Sequence, residues 1–192
     1  PPLQMLDDPF MKYKEVLESP LFRTSLKNTF IIWGVNFIPQ ILLALVLAVW
    51  FTSTRRKIKG QGFFKVVLYM PNIITAATIA LLFNQLFMYP KGAVNDMLLA
   101  LGVITEPYYF AIDGTVAKSI VAFIQFWQWY GYTMIVLISG ILGISPDIFE
   151  AAEIDGANGF QKFMRVTLPN LKTIMLFTLV TSLIGGLTMF DI

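Results

Sequence analysis

The chain has 192 residues, 56% of them hydrophobic and 14% charged, with a mean hydropathy of +0.68. An average soluble domain carries about 25% charged residues, so the composition excludes an ordinary water-soluble globule. With no Cys and no His the chain supplies no thiolate nucleophile, imidazole base, disulfide or Cys/His zinc site, and a net charge of +2 gives no ground for nucleic-acid binding.

The charges are unevenly placed. No Lys, Arg, Asp or Glu lies between Lys27 and Arg55, Lys65 and Lys91, Lys118 and Asp147, or Lys172 and Asp191, gaps of 27, 25, 28 and 18 residues. A membrane crossing needs about 20 apolar residues to traverse a hydrocarbon core of roughly 30 Å. The expected fold is therefore all-α, a polytopic bundle with four spans present. In chain order, residues 1–29 are polar, with an amphipathic stretch from Met11 to Leu26 expected at a membrane surface. The first span is expected from Phe30 to Phe51, interrupted by Asn36, Pro39 and Gln40. The second runs from Val66 to Met88 around Pro71-Asn72, the third from Ser119 to Gly143, and the last begins near Thr173 and carries Gly185-Gly186. Between the second and third, Val94, Met97, Leu98 and Leu101 recur at helical spacing within Ala93 to Val103. That segment reads either as a short helix at the outer interface or as a loop packed on the bundle. Asn36, Gln40, Asn84 and Gln85 are expected to serve as helix-to-helix hydrogen bonds, with no site assigned to them.

Orientation follows from the loops, because Lys and Arg are retained on the cytoplasmic side. The segment from Thr52 to Lys65 holds Arg55, Arg56, Lys57, Lys59 and Lys65 with no acid, so it is expected inside. Alternation places residues 144–172 on the same side and residues 1–29 and 89–118 outside. The chain opens on Pro1-Pro2 and stops at Ile192 directly after an apolar run. It reads as one transmembrane domain over 1–192, truncated at both ends, lacking a span before Pro1 and at least one after Ile192.

The cytoplasmic segment 144–170 contains SPDIFEAAEIDGANGFQKFMRVTLP, with two helix starts and a stop. Ser145 is a candidate N-cap with Pro146 at the first helical position, and Asp147 and Glu150 lie near the positive end of that helix. Gly156 is suited to the left-handed conformation that ends a helix. Asn158 with Gln161 three residues later resembles a capping box, and Leu168-Pro169 is expected to close the second helix. Two short helices with a glycine bend make a compact, protruding knob.

Glu150-Ala151-Ala152, then Gly156, then Val166-x-Leu168-Pro169 match the pattern EAA, three residues, G, nine residues, I-x-L-P, with Val in place of Ile. By this loop the chain resembles the membrane permease subunits of binding-protein-dependent ABC importers, of the MetI-like type. The string from Glu150 to Ala157, together with Asn28-Thr29, Lys59 to Lys65 leading to Met70-Pro71, and Gly92 to Leu98, is similar to the carbohydrate, maltose-type branch. The resemblance implies that Glu150, Ala151, Ala152, Asp155, Gly156 and Ala157 dock in a cleft of an ATPase subunit. It also implies a second, different permease subunit, an extracytoplasmic solute-binding protein, and residence in a bacterial cytoplasmic (inner) membrane, in contact with lipid. The chain contains no G-x-x-x-x-G-K-[ST] phosphate loop, so ATP and Mg are expected on the partner ATPase, and this chain is expected to be a transport subunit rather than an enzyme. Lys162 and Arg165, one helical turn apart, read either as a partner contact or as a solvated basic face.

Polar groups inside a bilayer are costly and often mark a pathway. The third span holds Gln125, Trp127, Gln128, Trp129, Tyr130 and Tyr132. Amides bind sugar hydroxyls and rings stack on sugar C–H faces, so the cluster suits a neutral polyol. The resemblance carries a sugar site onto Gln125, Gln128, Trp129 and Tyr132, onto Asn72, and onto Ser182, Gly185, Gly186 and Met189 in the last span. Gly185 and Gly186 have close helix packing as an equal alternative. The expected function is import of a sugar or related polyol; the alternatives are another cargo such as glycerol 3-phosphate, or an ion-coupled secondary transporter. The latter usually needs a charged coupling residue, and the spans contain none. A membrane enzyme is a third possibility, but it would have to rely on loop carboxylates.

Overall fold

The computed structural model describes residues 10–53 and 59–188, and over these the only regular structure is helical. In chain order the helices are α1 (Met11–Glu18), α2 (Pro20–Thr52), α3 (Gln61–Ile73), α4 (Ala76–Leu86), α5 (Ala93–Ala100), α6 (Gly114–Leu142) and α7 (Pro146–Ile154). A segment Gly159–Asn170 follows, built as α8 (Gly159–Lys162), a π turn (Phe163–Thr167) and α9 (Leu168–Asn170), and then α10 (Lys172–Leu187). Among the described residues α2 and α6 are each long and apolar enough to cross a membrane. The bent pairs α3–α4 and Gly159–Asn170 with α10 bring the number to four if each pair is one crossing.

Helices cover each of the four expected spans, with two differences. α2 begins ten residues before Phe30, at Pro20, because Pro is well placed at the first helical position. The amphipathic stretch from Met11 to Leu26 is accordingly split by Ser19 into α1 and the first turns of α2. The second span is broken: α3 and α4 meet at 89°. Ile74 and Thr75 are extended there, and the Thr75 hydroxyl accepts from the Thr78 N–H, so Thr75 caps a new helix instead of continuing the old one.

α2 and α6 run parallel, and their cross-links prove the register. Lys118 Nζ donates to Asn28 Oδ1 at 3.3 Å, Asn36 Nδ2 to Gln125 Oε1 at 2.7 Å, and Gln40 Nε2 to Thr133 Oγ1 at 2.8 Å. The partner number stays about ninety residues ahead in all three. Below them Ala44 and Ala48, fully buried, let α2 approach Met134, Leu137, Ile138 and Ile141 of α6. Between membrane helices such close packing and polar ties carry association, because lipid tails are as apolar as the side chains. α3 lies against α6 at Gly131, where an added Cβ would stand 2.2 Å from the Leu68 carbonyl oxygen. α4 continues along α6 through Ile79, Phe83 and Ile124. α10 runs antiparallel to α6, with Leu171 and Ile174 over Gly140.

Parallel α2 and α6 put Phe51, Gln61, Ile141 and Leu171 at one end of the bundle: Gln61 Nε2 donates to the Phe51 carbonyl, and Phe51, Ile141 and Leu171 share one core. The loops expected on the cytoplasmic side are thus at a common end. Arg55, Arg56 and Lys57 lie outside the described residues. At the opposite end α5 is packed on the bundle. Asn95, fully buried, accepts from the Tyr108 N–H at 2.8 Å and donates to the Tyr108 carbonyl at 3.0 Å. Of the apolar stripe, Val94 and Leu98 turn inward while Met97 and Leu101 stay exposed. Asp113 caps α6 by accepting from the N–H groups of Thr115 and Val116, and these bonds hold its carboxyl below the ordinary value of 3.8.

Candidate functional site

The uncharged stretches of three helices, α2, α6 and α10, line a cavity of about 420 Å³. α6 supplies Gln125, Gln128, Trp129, Tyr132 and Thr133, which are spaced i, i+3, i+4, i+7 and i+8 and therefore share one helical face. α2 supplies Trp33, Asn36 and Gln40, and α10 supplies Thr178, Thr181, Ser182, Gly185 and Gly186; Thr188 beyond its end and Ala76, at the first turn of α4, complete the wall. Gln40 lies about 20 Å along α2 from Lys27 at 1.5 Å per residue, so the cavity sits at mid-depth in the uncharged stretches.

The hydrogen-bond pattern gives the wall its chemical character. The hydroxyls of Thr178 and Thr181 donate to carbonyls of their own helix, at Met175 and Phe177, each at 2.8 Å. Thr133 donates to the Trp129 carbonyl at 3.2 Å while accepting from Gln40. With their protons committed, these hydroxyls face the cavity only as acceptors. Ser182 Oγ accepts from Trp33 Nε1 at 3.1 Å and keeps its own proton free to donate. The described lining carries no charged side chain. Trp129 and Tyr132, 5.9 Å apart between ring centroids and edge to face, present half-exposed rings on the open side. An acceptor-rich, uncharged wall with ring surfaces complements a solute that offers many hydroxyl donors and apolar C–H faces.

Of the residues expected in the path, Gln125, Gln128, Trp129, Tyr132, Ser182, Gly185 and Gly186 line the cavity together. Asn72 does not; it is half-buried in the last turn of α3. The 89° break past it turns the chain so that Ala76 meets the cavity instead. Met189 lies outside the described residues. The two glycines differ: a Cβ on Gly185 would meet nothing within 4 Å, whereas one on Gly186 would stand 2.9 Å from the Trp33 ring. Gly185 provides space and Gly186 provides close packing.

The aromatic cluster also divides. Trp127 packs edge to face on Phe83 at 5.7 Å, and Tyr130 stacks on Phe126 at 5.7 Å, so neither joins the cavity. Asn36 and Gln40 make the interhelical bonds expected of them and line the cavity as well. The signal for them was present: Trp33, Asn36 and Gln40 form a polar stripe at i, i+3 and i+7 on one face of an apolar helix. Asn84 and Gln85, expected to tie helices together, are exposed on α4, because Phe83 takes the inward position.

At the end expected on the cytoplasmic side, α7 closes in a Schellman motif. The Ala157 N–H bonds the Ala152 carbonyl at 2.9 Å, the Gly156 N–H bonds the Glu153 carbonyl at 3.0 Å, and Gly156 has φ +76°. The spacing from Ala152 through Gly156 to Ala157 is therefore a helix stop. Asn158 and Gln161 make the capping box in both directions. Ser145 differs from expectation: its hydroxyl bonds the Asp147 carboxylate at 3.3 Å and caps no backbone N–H. Leu168-Pro169 does not close the second helix either. Pro169 would clash with the Arg165 carbonyl in a regular α-helix, and the π turn over Phe163–Thr167 widens the backbone so that the helix continues to Asn170. Glu150, Ala151 and Asp155 are exposed on the knob, as are Ile154 and Phe160. Lys162 pairs with Glu153 across the bend, and Arg165 is exposed.

Residues 29–192 match the family described as the binding-protein-dependent transport system inner membrane component. The chain is 36% identical over 172 residues to the lactose transport system permease protein LacF of Rhizobium radiobacter, covering 90% of this chain and 57% of that protein. It is 37% identical over 141 residues to the maltose/maltodextrin transport system permease protein MalF of Vibrio vulnificus, covering 72% of this chain and 27% of that one. The chain thus spans little more than half of the first and about a quarter of the second. Its fold matches a chain of the bacterial alginate ABC transporter, crystallised in complex with an alginate pentasaccharide-bound periplasmic protein, with a TM-score of 0.76 and 25% identity over 90% of this chain and 59% of that one.

Proposed function

The chain belongs to the binding-protein-dependent transport system inner membrane component family, and on that premise we propose that it is the core of a permease subunit in an ATP-driven importer of a sugar or related polyol. The observation that carries the cargo class is the uncharged cavity at mid-depth, lined by Thr178 and Thr181, whose hydroxyl protons are held by their own helix, beside Trp129 and Tyr132. Glycerol 3-phosphate fits less well, because a phosphate calls for Arg or Lys and the described lining has neither.

The knob 144–170 is the coupling element. Glu150, Ala151, Ala152, Asp155, Gly156 and Ala157 seat in a cleft of a separate ATPase subunit, which binds ATP and Mg. Exposed Ile154 and Phe160 add apolar area to that contact, and the helix stop at Gly156 sets its shape. A second permease subunit closes the side on which Trp129 and Tyr132 are half-exposed. An extracytoplasmic binding protein delivers the solute at the end held by Asn95, and ATP-driven closure rocks the helices around the cavity between outward and inward states. Its place is the bacterial cytoplasmic membrane.

The test is reconstitution of the full-length protein with its partner permease, ATPase and binding protein. Lactose, maltose, arabinan oligosaccharides and glycerol 3-phosphate are then screened for stimulated ATP hydrolysis and uptake. Stimulation by a sugar is expected, and Glu150→Ala should abolish it. Stimulation by glycerol 3-phosphate alone would overturn the cargo class, and unchanged stimulation in Glu150→Ala would overturn the docking assignment.

A further inference from the structure

A second hollow lies between α6 and α10, an open groove of about 720 Å³, and the helical period joins it to the cavity. On α6 the cavity residues Gln125, Gln128, Trp129 and Tyr132 are followed on the same face by Val136, Ser139 and Gly143. On antiparallel α10, Thr181 and Thr178 are followed by Phe177 and Ile174, each four residues back. Both walls therefore run on from the cavity toward the end expected on the cytoplasmic side, about 16 Å from Tyr132 to Gly143 at 1.5 Å per residue. The chemistry changes along the way. The cavity wall carries amides, hydroxyls and rings, whereas the next turn of each helix offers Ile135 and Val136, Ile174 and Phe177. Ser139 and Ser145 bring hydroxyls back further on, and the far mouth is edged by Ile148, from the first turn of the docking helix α7. Phe177 is 54% and Ile148 43% exposed, so both side chains stand in open space and not in the core. Ile174 lies over Gly140 and leaves no room there for a Cβ, so α10 is pressed against α6 at this level.

We propose that Ile135, Val136, Ile174 and Phe177 are this chain's part of the barrier that closes the cavity toward the cytoplasmic side, and that the docking helix α7 moves it through Ile148; the proposal rests on the importer reading. A sugar passed from the acceptors of the cavity onto such a collar loses its hydrogen-bond partners, and a narrow apolar constriction gates by shedding water. Held against α6, the collar stops leakage of both solute and water. Spread apart, it opens onto the hydroxyls of Ser139 and Ser145. Because Ile148 belongs to the docking helix and to the groove alike, a shift of α7 driven by the ATPase reshapes the mouth directly.

The chain has no cysteine, so Val136→Cys and Phe177→Cys are made in the full-length protein with cysteine-free partner subunits. Complexes that hydrolyse ATP are placed in proteoliposomes, and an impermeant methanethiosulfonate reagent is added on the ATPase side, without nucleotide and after trapping with ATP and vanadate. Both thiols should react without nucleotide and slow by about fivefold or more once trapped, the low end of coupling between linked sites. Leu176→Cys, 62% exposed on α10 but outside the groove, should show no such change. With Ser182→Cys as the target, Val136→Trp should slow labelling from the ATPase side and leave labelling from the opposite side unchanged, a difference that a merely structural defect would not produce. Equal reactivity of Val136→Cys and Phe177→Cys in the two states overturns the proposal. So does no reaction in either, the result for a face covered throughout by lipid or a partner helix, and so does Val136→Trp that leaves labelling from the ATPase side unaltered. The labelling needs no cargo, so a wild type that takes up none of the solutes screened above fails the importer reading whatever the thiols do.

Discussion

Gly131→Ala isolates the close approach of α3 to α6. The added Cβ would stand 2.2 Å from the Leu68 carbonyl oxygen and 2.9 Å from Leu68 C and Tyr69 Cα, where ordinary contact begins at 3.4 Å. The obstacle is backbone, so no rotamer change relieves it and α3 must retreat by about 1 Å over its contact with α6. Overpacking of this kind costs typically 1–3 kcal/mol, and a backbone partner places it toward the upper end. Alanine returns at most about 1 kcal/mol of helix propensity, leaving a net loss of about 1–2 kcal/mol. Gly185→Ala is the matched comparison, since its Cβ meets nothing within 4 Å; it should be neutral or stabilising by up to about 1 kcal/mol. Both are measured by reversible unfolding of the full-length protein in mixed micelles titrated with SDS. Gly131→Ala as stable as wild type, or Gly185→Ala destabilised equally, would refute the packing argument.

The Asn36–Gln125 bond should give a coupling energy of about 0.5–1.5 kcal/mol in a double-mutant cycle with Asn36→Leu and Gln125→Leu, measured by the same unfolding; strictly additive losses would deny the tie. Gly156→Ala should cost about 1 kcal/mol through its positive φ alone, because its Cβ meets nothing within 4 Å, and Gly156→Asn should cost less; equal losses for the two would point to a steric cause. Asp113 has its carboxyl lowered by the N–H groups of Thr115 and Val116. Its cap is therefore fully present above the ordinary value of 3.8 and is lost as pH falls through the lower folded value. Wild type and Asp113→Ala should accordingly differ in melting temperature at pH 7 and converge toward pH 2, and a difference unaltered by acid would contradict the cap.

The charge gaps located the spans because each crossing excludes charge whatever its neighbours do. The α6 face was equally legible, since Gln125, Gln128, Trp129 and Tyr132 share a side by helical period alone. Local rules also read the knob, where Gly156 and the Asn158–Gln161 box behave as their chemistry dictates. Pairwise geometry was out of reach. Whether Asn72 or Ala76 meets the cavity depends on an 89° break, whose only local trace is Thr75 as an N-cap. Gln40 required knowing that Thr133 stands opposite, a pairing set by α2 and α6 running parallel. Gly185 and Gly186 are alike in sequence and separated only by where Trp33 lies.

The translocation role of the cavity is tested most directly by a thiol placed in it. The chain has no cysteine, so Ser182→Cys in the full complex, with cysteine-free partner subunits, offers one target on the cavity wall. A methanethiosulfonate reagent of sugar size should abolish uptake into proteoliposomes. Bound sugar trapped in the complex should slow the labelling. Full labelling with sugar uptake unchanged would show that solute does not pass through this cavity.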